Sequence, residues 1–377
     1  MRLLSVVGAR PNFMKIAPIV TELRKYPEIE HLLVHSGQHY DQILSGNFFS
    51  DLGLPAPDVN LEVGPGSHAA QTGEVMKRLE PVLLQYQPDM LIVVGDVNST
   101  LAAALTAVKL GIGVAHIEAG LRSFDMSMPE EINRKVTDAI STLLFVTEQS
   151  GVDNLRREGA SPEKIFLVGN VMIDSLLRHR RSAEDSPILD QLALRNGDAC
   201  RPYAVLTLHR PSNVDDRDSL RRILDTVRTL AGDFPVFFPV HPRTRKNIER
   251  FGCSDCVSTG VANRRGVIAV EPLGYIDFLC LLQHAHLVLT DSGGIQEETT
   301  VLGVPCLTLR ENTERPATVE CGTNQVVGLK PDRILAAARS ILQNPKPEYR
   351  CPELWDGHAA GRIVKIIREF LAESRAA

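Results

Sequence analysis

The sequence predicts an α/β chain built from two open parallel sheets whose crossover helices flank them. Three observations predict this. Short β-rich apolar runs alternate with longer stretches of helical period, which is the pattern of strand, crossover helix and parallel strand. The alternation fades near the middle of the chain and then restarts. The length, 377 residues, suits two or three domains at ~150 residues per domain.

Strands are expected at residues 3–7, 31–35, 90–94, 114–117, 143–146 and 165–168, with helices at 13–25, 72–85, 101–110, 129–141 and 149–158 between them. From 171 to 201 the pattern gives way to a charged helix and a polar stretch, RHRRSAEDSP and RNGDACRP, and the domain junction is placed there. Residues 1–171 then form the first domain and 172–357 the second. Strands resume at 204–208, 236–240, 267–270, 287–289 and 306–309, with helices at 220–230, 277–283 and 295–302. A last helix, 359–372, follows the Pro-rich segment NPKPEYRCPELW. Open α/β sheets bind ligands beyond the carboxyl ends of their strands, so informative residues are sought there.

Composition narrows the function. Hydrophobic residues make up 44% and charged residues 23%, the balance of an ordinary globular chain. Lys and Arg number 41 against 46 Asp and Glu, a net charge of -5; nucleic acid selects for a basic face and is disfavoured. The longest apolar stretch, 101–117, is broken by Lys109 and two glycines and falls short of the ~20 residues of a bilayer span. MRLLSVVGAR has neither a long apolar h-region nor a small-residue cleavage site and reads as mature sequence in the cytoplasm. Seven scattered cysteines suit reduced thiols. Cys253 and Cys256 form a CxxC without a second ligand pair, and no metal is expected.

The first strand ends in GARPNFMK, where Gly8, a helix N-terminus, Arg10 and Lys15 favour an anion. This is neither GxGxxG nor GxxxxGK[ST], which weakens dinucleotide and NTPase readings. VVGDVNST delivers Asp96, which alone reads as a turn former. AHIEAGLRS delivers Glu118 at a comparable height on the next strand, an acid amid apolar residues. PEEINR adds Glu130 and Glu131 at a helix start, in themselves an ordinary acidic first turn. Acids converging on one rim can have their pKa values set apart, as general acid and base work requires.

In the second half, TLHRPSNVD ends a strand with His209 and Arg210, and PVHPRT ends the next with His241. His209 reads either as a structural histidine or, facing an acidic rim, as a catalytic one. LVLTDSGGIQEE brings Asp291, Ser292, Gly293 and Gly294 to a helix start, where N–H groups and the helix dipole suit a phosphate. Glu298, further along, is placed to accept ribose hydroxyls. LRENTERP supplies Arg310, Thr313 and Arg315, whose guanidinium forks suit a diphosphate.

Taken in order across nearly the whole chain, GARPNFMK, GDVNST, HIEAGLRS, PEEINR, LHRPSNVD, PVHPRT, TDSGGIQEE and TERP closely resemble the motifs of the non-hydrolysing UDP-N-acetylglucosamine 2-epimerases. The resemblance implies the GT-B fold, two Rossmann-like domains facing across a cleft that holds a UDP-sugar, with the C-terminal helix, 358–377, packing back on the first domain. Such enzymes are usually homodimers. By the resemblance Asp96, Glu118, Glu130 and His209 are catalytic; Arg10, Lys15, Arg210, His241, Ser292, Gly293, Gly294, Glu298 and Arg315 bind substrate. It implies interconversion of UDP-GlcNAc and UDP-ManNAc through elimination of UDP to a 2-acetamidoglucal and re-addition, with no cofactor. The loop SFDMSM is short, as in archaeal forms and relatives that act on UDP-diacetamido-uronates, which keeps that substrate open, with a GT-B glycosyltransferase further off. GQHYDQ, 37–42, keeps the Gln-His pair but not the following residues of members activated by UDP-N-acetylglucosamine at a second site.

Overall fold

The computed structural model describes residues 1–8, 10–37, 53–197, 199–232, 234–260, 265–343 and 349–376. Gln38–Gln42 lie outside them. The chain divides into two compact units, Met1–Arg178 with Glu353–Ala377, and His179–Pro352.

In the first unit, β1 (Arg2–Val7), α1 (Arg10–Leu23), β2 (Glu30–His35), β3 (Val59–Asn60), α2 (His68–Tyr86), β4 (Met90–Val94), α3 (Asn98–Lys109), β5 (Gly113–Ala119), α4 (Pro129–Ile140), β6 (Leu143–Val146), α5 (Gln149–Arg157), β7 (Ile165–Leu167) and α6 (Val171–Glu184) follow in order. The sheet is parallel, in the order β3-β2-β1-β4-β5-β6-β7. Every residue of β4 is buried, because helices cover both faces and an MLIVV run has no polar side to turn outward. Leu79 and Leu83, one turn apart on α2, pack with Leu4, Val34, Leu91 and the alanines of α3. Each such leucine stabilises the unit by roughly 1.5–3 kcal/mol.

The second unit contains α7 (Ile188–Gln191), a hairpin of β8 (Arg195–Asn196) and β9 (Ala199–Cys200), then β10 (Ala204–Thr207), α8 (Pro211–Val214), α9 (Arg217–Leu230), β11 (Val236–Pro239), α10 (Pro242–Arg250), β12 (Ser258–Thr259), β13 (Val267–Val270), α11 (Tyr275–Gln283), β14 (Leu287–Thr290), α12 (Gly293–Leu302), β15 (Cys306–Thr308), α13 (Pro316–Glu320), β16 (Asn324–Val326) and α14 (Pro331–Gln343). Its main sheet is parallel, ordered β12-β13-β11-β10-β14-β15-β16. Its core gathers Leu206, Ile223, Val227, Phe238, Leu289 and Leu307. In each sheet the strand order reverses once, between β1 and β4 and between β10 and β14, and such reversals open a crevice at the carboxyl ends.

The elements that periodicity missed are short or sparsely buried. β3, β12 and β16 span two or three residues, too few to show alternation. The charged α10 buries only Thr244 and Ile248, and α14 only Ile334 and Ala338, each a single i, i+4 pair.

The division between units differs from the boundary expected at 171 and 172. It falls after Arg178, within α6, because the start of that helix is tied to the first unit: Ser175 Oγ donates to Met14 O at 2.6 Å and Arg178 to Thr21 at 2.8 Å. The chain rejoins the first unit at Glu353 rather than 358. Trp355 Nε1 donates to Thr147 O at 2.9 Å, and buried Asp174 accepts from the backbone N–H groups of Ala359 and Ala360 at 3.1 and 2.7 Å, holding the start of α15 (Ala359–Ala376).

Gly169 sits at this junction with φ +86°, and a Cβ there would lie 2.0 Å from Leu354 O. Gly169→Ala is therefore expected to lower stability by about 2–5 kcal/mol, the left-handed strain and the overpacking together. Denaturant unfolding checks it; an unchanged midpoint would show that the segment relaxes freely.

Candidate active site

Gly95 directly follows β4 at φ +70°, and a Cβ on it would meet Lys15 Nζ at 2.9 Å, Asn12 Nδ2 at 3.5 Å and Glu118 Oε2 at 3.5 Å. Glycine here lets Asn12 and Lys15 from α1 and Glu118 from the end of β5 converge. Lys15 and Glu118 are in ion-pair contact, with side chains 10% and 6% exposed. Burying either charge alone would be costly, and each supplies the other's counter-charge. Glu118 has φ +74°, and the register between β5 and β6 slips between Ile117 and Ala119, at this residue. Left-handed backbone at a non-glycine residue is uncommon and gathers at functional positions.

Asp96 follows directly. Its Oδ2 accepts from Arg134 Nη2 at 2.7 Å and Nε at 3.1 Å, and its backbone O accepts from Asn133 Nδ2 at 2.8 Å. Both partners come from α4. Arg134 also donates to Glu131, which is fully buried and accepts from Ser123 N, Ser123 Oγ and Phe124 N. Burial pushes the Glu131 carboxyl up, but the Ser123 and Arg134 hydrogen bonds outweigh it and hold it below its ordinary value. Glu130, in the same first turn, is half-buried. The two neighbours thus divide: Glu131 ties the 123–124 loop to Arg134, while Glu130 is the more accessible acid. Arg10 opens α1, and its side chain lies outside what is described.

In the second unit, Asp291 is fully buried at the end of β14. It accepts from the backbone N–H of His209 at 3.1 and 3.2 Å, from that of Arg210 at 3.0 Å and from Asn213 Nδ2 at 3.0 Å, while His209 Nδ1 lies 3.1 Å away. Burial raises the Asp291 carboxyl; the His209, Arg210 and Asn213 hydrogen bonds outweigh this and lower it overall. The His209 side chain remains 52% exposed, oriented by a buried anion with its outer edge open.

Ser292 precedes α12, whose first residues are Gly293 and Gly294. A Cβ on Gly293 would lie 3.8 Å from the Arg315 guanidinium, which puts a cation beside the free N–H groups of the helix start. Arg315 is held by buried Glu297, 2.5 Å away. Arg210 and Arg310 share buried Glu314, which they and Arg315 hold well below the usual carboxylate range against the effect of burial. Glu298 is buried as well, and burial with adjacent Glu297 pushes it up to about 8, against a weak hydrogen bond from Tyr275. His241 is exposed and caps α10, its Nδ1 accepting from Arg243 N at 3.3 Å.

Cys253 and Cys256 are both buried, and among the described residues no group of three or more His, Cys, Asp or Glu side chains is gathered as a metal site requires. No described helix is long and apolar enough to cross a membrane.

A model of the UDP-N-acetylglucosamine 2-epimerase family matches residues 21–368. The chain belongs to this family. The UDP-N-acetylglucosamine 2-epimerase of Methanocaldococcus jannaschii is 41% identical over 378 residues, covering 97% of this chain and 99% of its own. The UDP-2,3-diacetamido-2,3-dideoxy-D-glucuronate 2-epimerase of Pseudomonas aeruginosa is 42% identical over 376 residues, covering 99% and 100%. A crystal structure of the Methanocaldococcus jannaschii UDP-GlcNAc 2-epimerase in complex with UDP-GlcNAc and UDP matches with a TM-score of 0.89 at 40% identity, covering 98% of this chain and 100% of its own. Two parallel-sheet α/β domains of GT-B type are the architecture of this 2-epimerase family.

Within that family frame, the structure gathers Lys15, Glu118 and the Gly95–Asp96 turn in the first unit, and Ser292, Gly293, Gly294 and Arg315 in the second. Motif reading missed the supports. Arg134 carried a signal, since it stands in the helix just after Glu130 and Glu131. Glu314 stands only four residues after its partner Arg310; Tyr275 and Glu297 carried no signal, because their partners are distant in sequence.

Proposed function

We propose that this chain is an isomerase that interconverts UDP-GlcNAc and UDP-ManNAc by eliminating UDP and adding it back. The observation that carries the reading is Glu118, held in left-handed backbone against Lys15 and beside the Gly95–Asp96 turn. The C2 hydrogen of the sugar is not next to a carbonyl and resists direct removal. As the C1–O bond to UDP lengthens, positive character at C1 acidifies it, a carboxylate takes the proton, and a 2-acetamidoglucal and UDP result. Re-addition forms the C1–O bond again while a proton is delivered to the other face of C2.

Asp96, Glu118 and Glu130 hold and move these protons, and His209 is assigned a catalytic part as well. Arg10 and Lys15 balance charge near the sugar and diphosphate. Ser292, Gly293, Gly294, Arg210, His241 and Arg315 hold the departing diphosphate, whose negative charge grows as the bond breaks. Glu298 accepts the ribose hydroxyls. The same reading takes the working form to be a cytoplasmic homodimer, which light scattering of the pure protein checks.

Incubation with UDP-GlcNAc in deuterium oxide tests the reaction. NMR of recovered sugar nucleotides is expected to show UDP-ManNAc and deuterium at C2 in both epimers; an epimer formed without deuterium would overturn the elimination route. The 42% identity to the Pseudomonas aeruginosa enzyme favours a second substrate reading, a UDP-diacetamido-uronate. Relative kcat/KM on the two sugars decides between them.

The raised Glu298 carboxyl makes UDP binding proton-linked. Hydroxyl donors favour the ionised acid, so binding below the value near 8 is expected to release a proton. Affinity then rises with pH and levels off above 8. Without ligand, the same acid favours folding most below its ordinary 4.5 and loses that contribution as pH climbs toward 8. Calorimetry at pH 7 in two buffers of different ionisation enthalpy checks the release; identical heats in both, or a difference retained in Glu298→Gln, would refute it.

A further inference from the structure

The backbone conformation of Glu118 is maintained by a buried clamp outside the acid set itself. Asp138, near the end of α4, places Oδ1 2.7 Å from His116 Nδ1 and Oδ2 3.1 Å from Gly120 N and 2.8 Å from Arg122 Nη2. One carboxylate thus grips the chain just before Glu118 and just after it. The other ring nitrogen of His116, Nε2, reaches Gly95 O at 2.9 Å, and Gly95 N donates to Ile117 O at 3.0 Å. A carbonyl oxygen only accepts, so Nε2 donates to the peptide that leads into Asp96. Burial raises the Asp138 carboxyl, but His116 and Arg122 outweigh it and lower it overall. The His116 side chain is 0% exposed and that of Asp138 2%. Left-handed residues persist only where their surroundings over-determine them, and these contacts do so.

We propose that Asp138 and His116 are positioning residues of the epimerisation, locking Glu118 and the Gly95–Asp96 turn into one relative geometry for proton transfer at C2. The inference rests on the function proposed above. Neither residue touches the sugar in this scheme; each acts through the backbone of an acid-bearing turn.

Asp138→Asn preserves shape but turns one acceptor oxygen into an NH2 group that opposes a donor. Its kcat on UDP-GlcNAc is expected to fall about 100-fold, the scale of a misplaced reacting group. KM, and UDP affinity by calorimetry, stay within about twofold, because lost alignment is a transition-state effect. Free UDP and 2-acetamidoglucal should accumulate, since returning the proton needs the same alignment as removing it. His116→Gln, which loosens the hold on Gly95, should show the same signature at about tenfold.

Wild-type kcat in Asp138→Asn overturns the inference. So does a matching loss of UDP affinity, or failure of both variants to unfold cooperatively, because either assigns the network to the fold alone. If the wild type leaves UDP-GlcNAc unchanged, or Glu118→Gln keeps full rate, the functional reading itself falls and this inference with it. An active wild type, an impaired Glu118→Gln and a fully active Asp138→Asn count against the inference alone.

Discussion

Glu118→Gln is expected to lower kcat for UDP-GlcNAc epimerisation by about a thousandfold, within the range that a positioned acid or base contributes. The substitution keeps the volume of the side chain and removes its charge and its ability to take or carry a proton. UDP affinity should change little, because the ribose and most of the diphosphate contacts are assigned to residues of the second unit. Stability should fall modestly, since Lys15 is left facing a neutral amide in a site where both side chains are nearly buried. Deuterium incorporation at C2 should drop in the same proportion as epimer formation. If exchange at C2 continued at the wild-type rate, another group would be moving that proton.

Asp291→Ala is the larger effect on the fold. It leaves the buried backbone N–H groups of His209 and Arg210 and the Asn213 amide without their shared acceptor. The loss is expected to be about 3–5 kcal/mol, typical of removing one partner from a buried charged network. His209 and Arg210 lose their orientation together, so residual activity should be low even where the protein is folded. The pH dependence gives a second check. The carboxyl is lowered in the folded state from its ordinary 3.8, so its contribution is full above that value and is lost as pH falls toward the depressed one. The gap between wild type and variant should therefore close in acid below 3.8. A gap of constant size through that range would mean that the charge of Asp291 is not what stabilises the site.

How far the site was legible varies residue by residue. Asp96 and Ser292 were singled out because in an open parallel sheet ligands bind beyond the carboxyl ends of the strands, and the strand ends are visible as breaks in apolar runs; Lys15 was singled out as a cation in the helix that follows the first strand. Glu118 stood out as an acid in an apolar stretch, although its left-handed backbone was not foreseeable: it depends on a slip between two strands. The paired acids of PEEINR looked alike in one dimension. Packing separated them, drawing Glu131 onto Arg134 and Ser123 and leaving Glu130 more accessible. His209 read by itself as structural or catalytic, and the family resemblance made it catalytic; what the sequence did not show is that its ring lies against Asp291, some eighty residues on, with its side chain half exposed.

The doubly repeated α/β alternation, the order of the strand-end motifs and the family they belong to are all local facts, encoded in hydrophobic period and in short runs of residue types, and one dimension suffices to read them. Which acid is sheltered, where the chain crosses from one unit to the next, and how Asp138 and His116 brace Glu118 depend on groups tens of residues apart meeting in a low-dielectric interior. There a hydrogen bond or a counter-charge is worth far more than in water, and only the assembled structure decides which groups receive one.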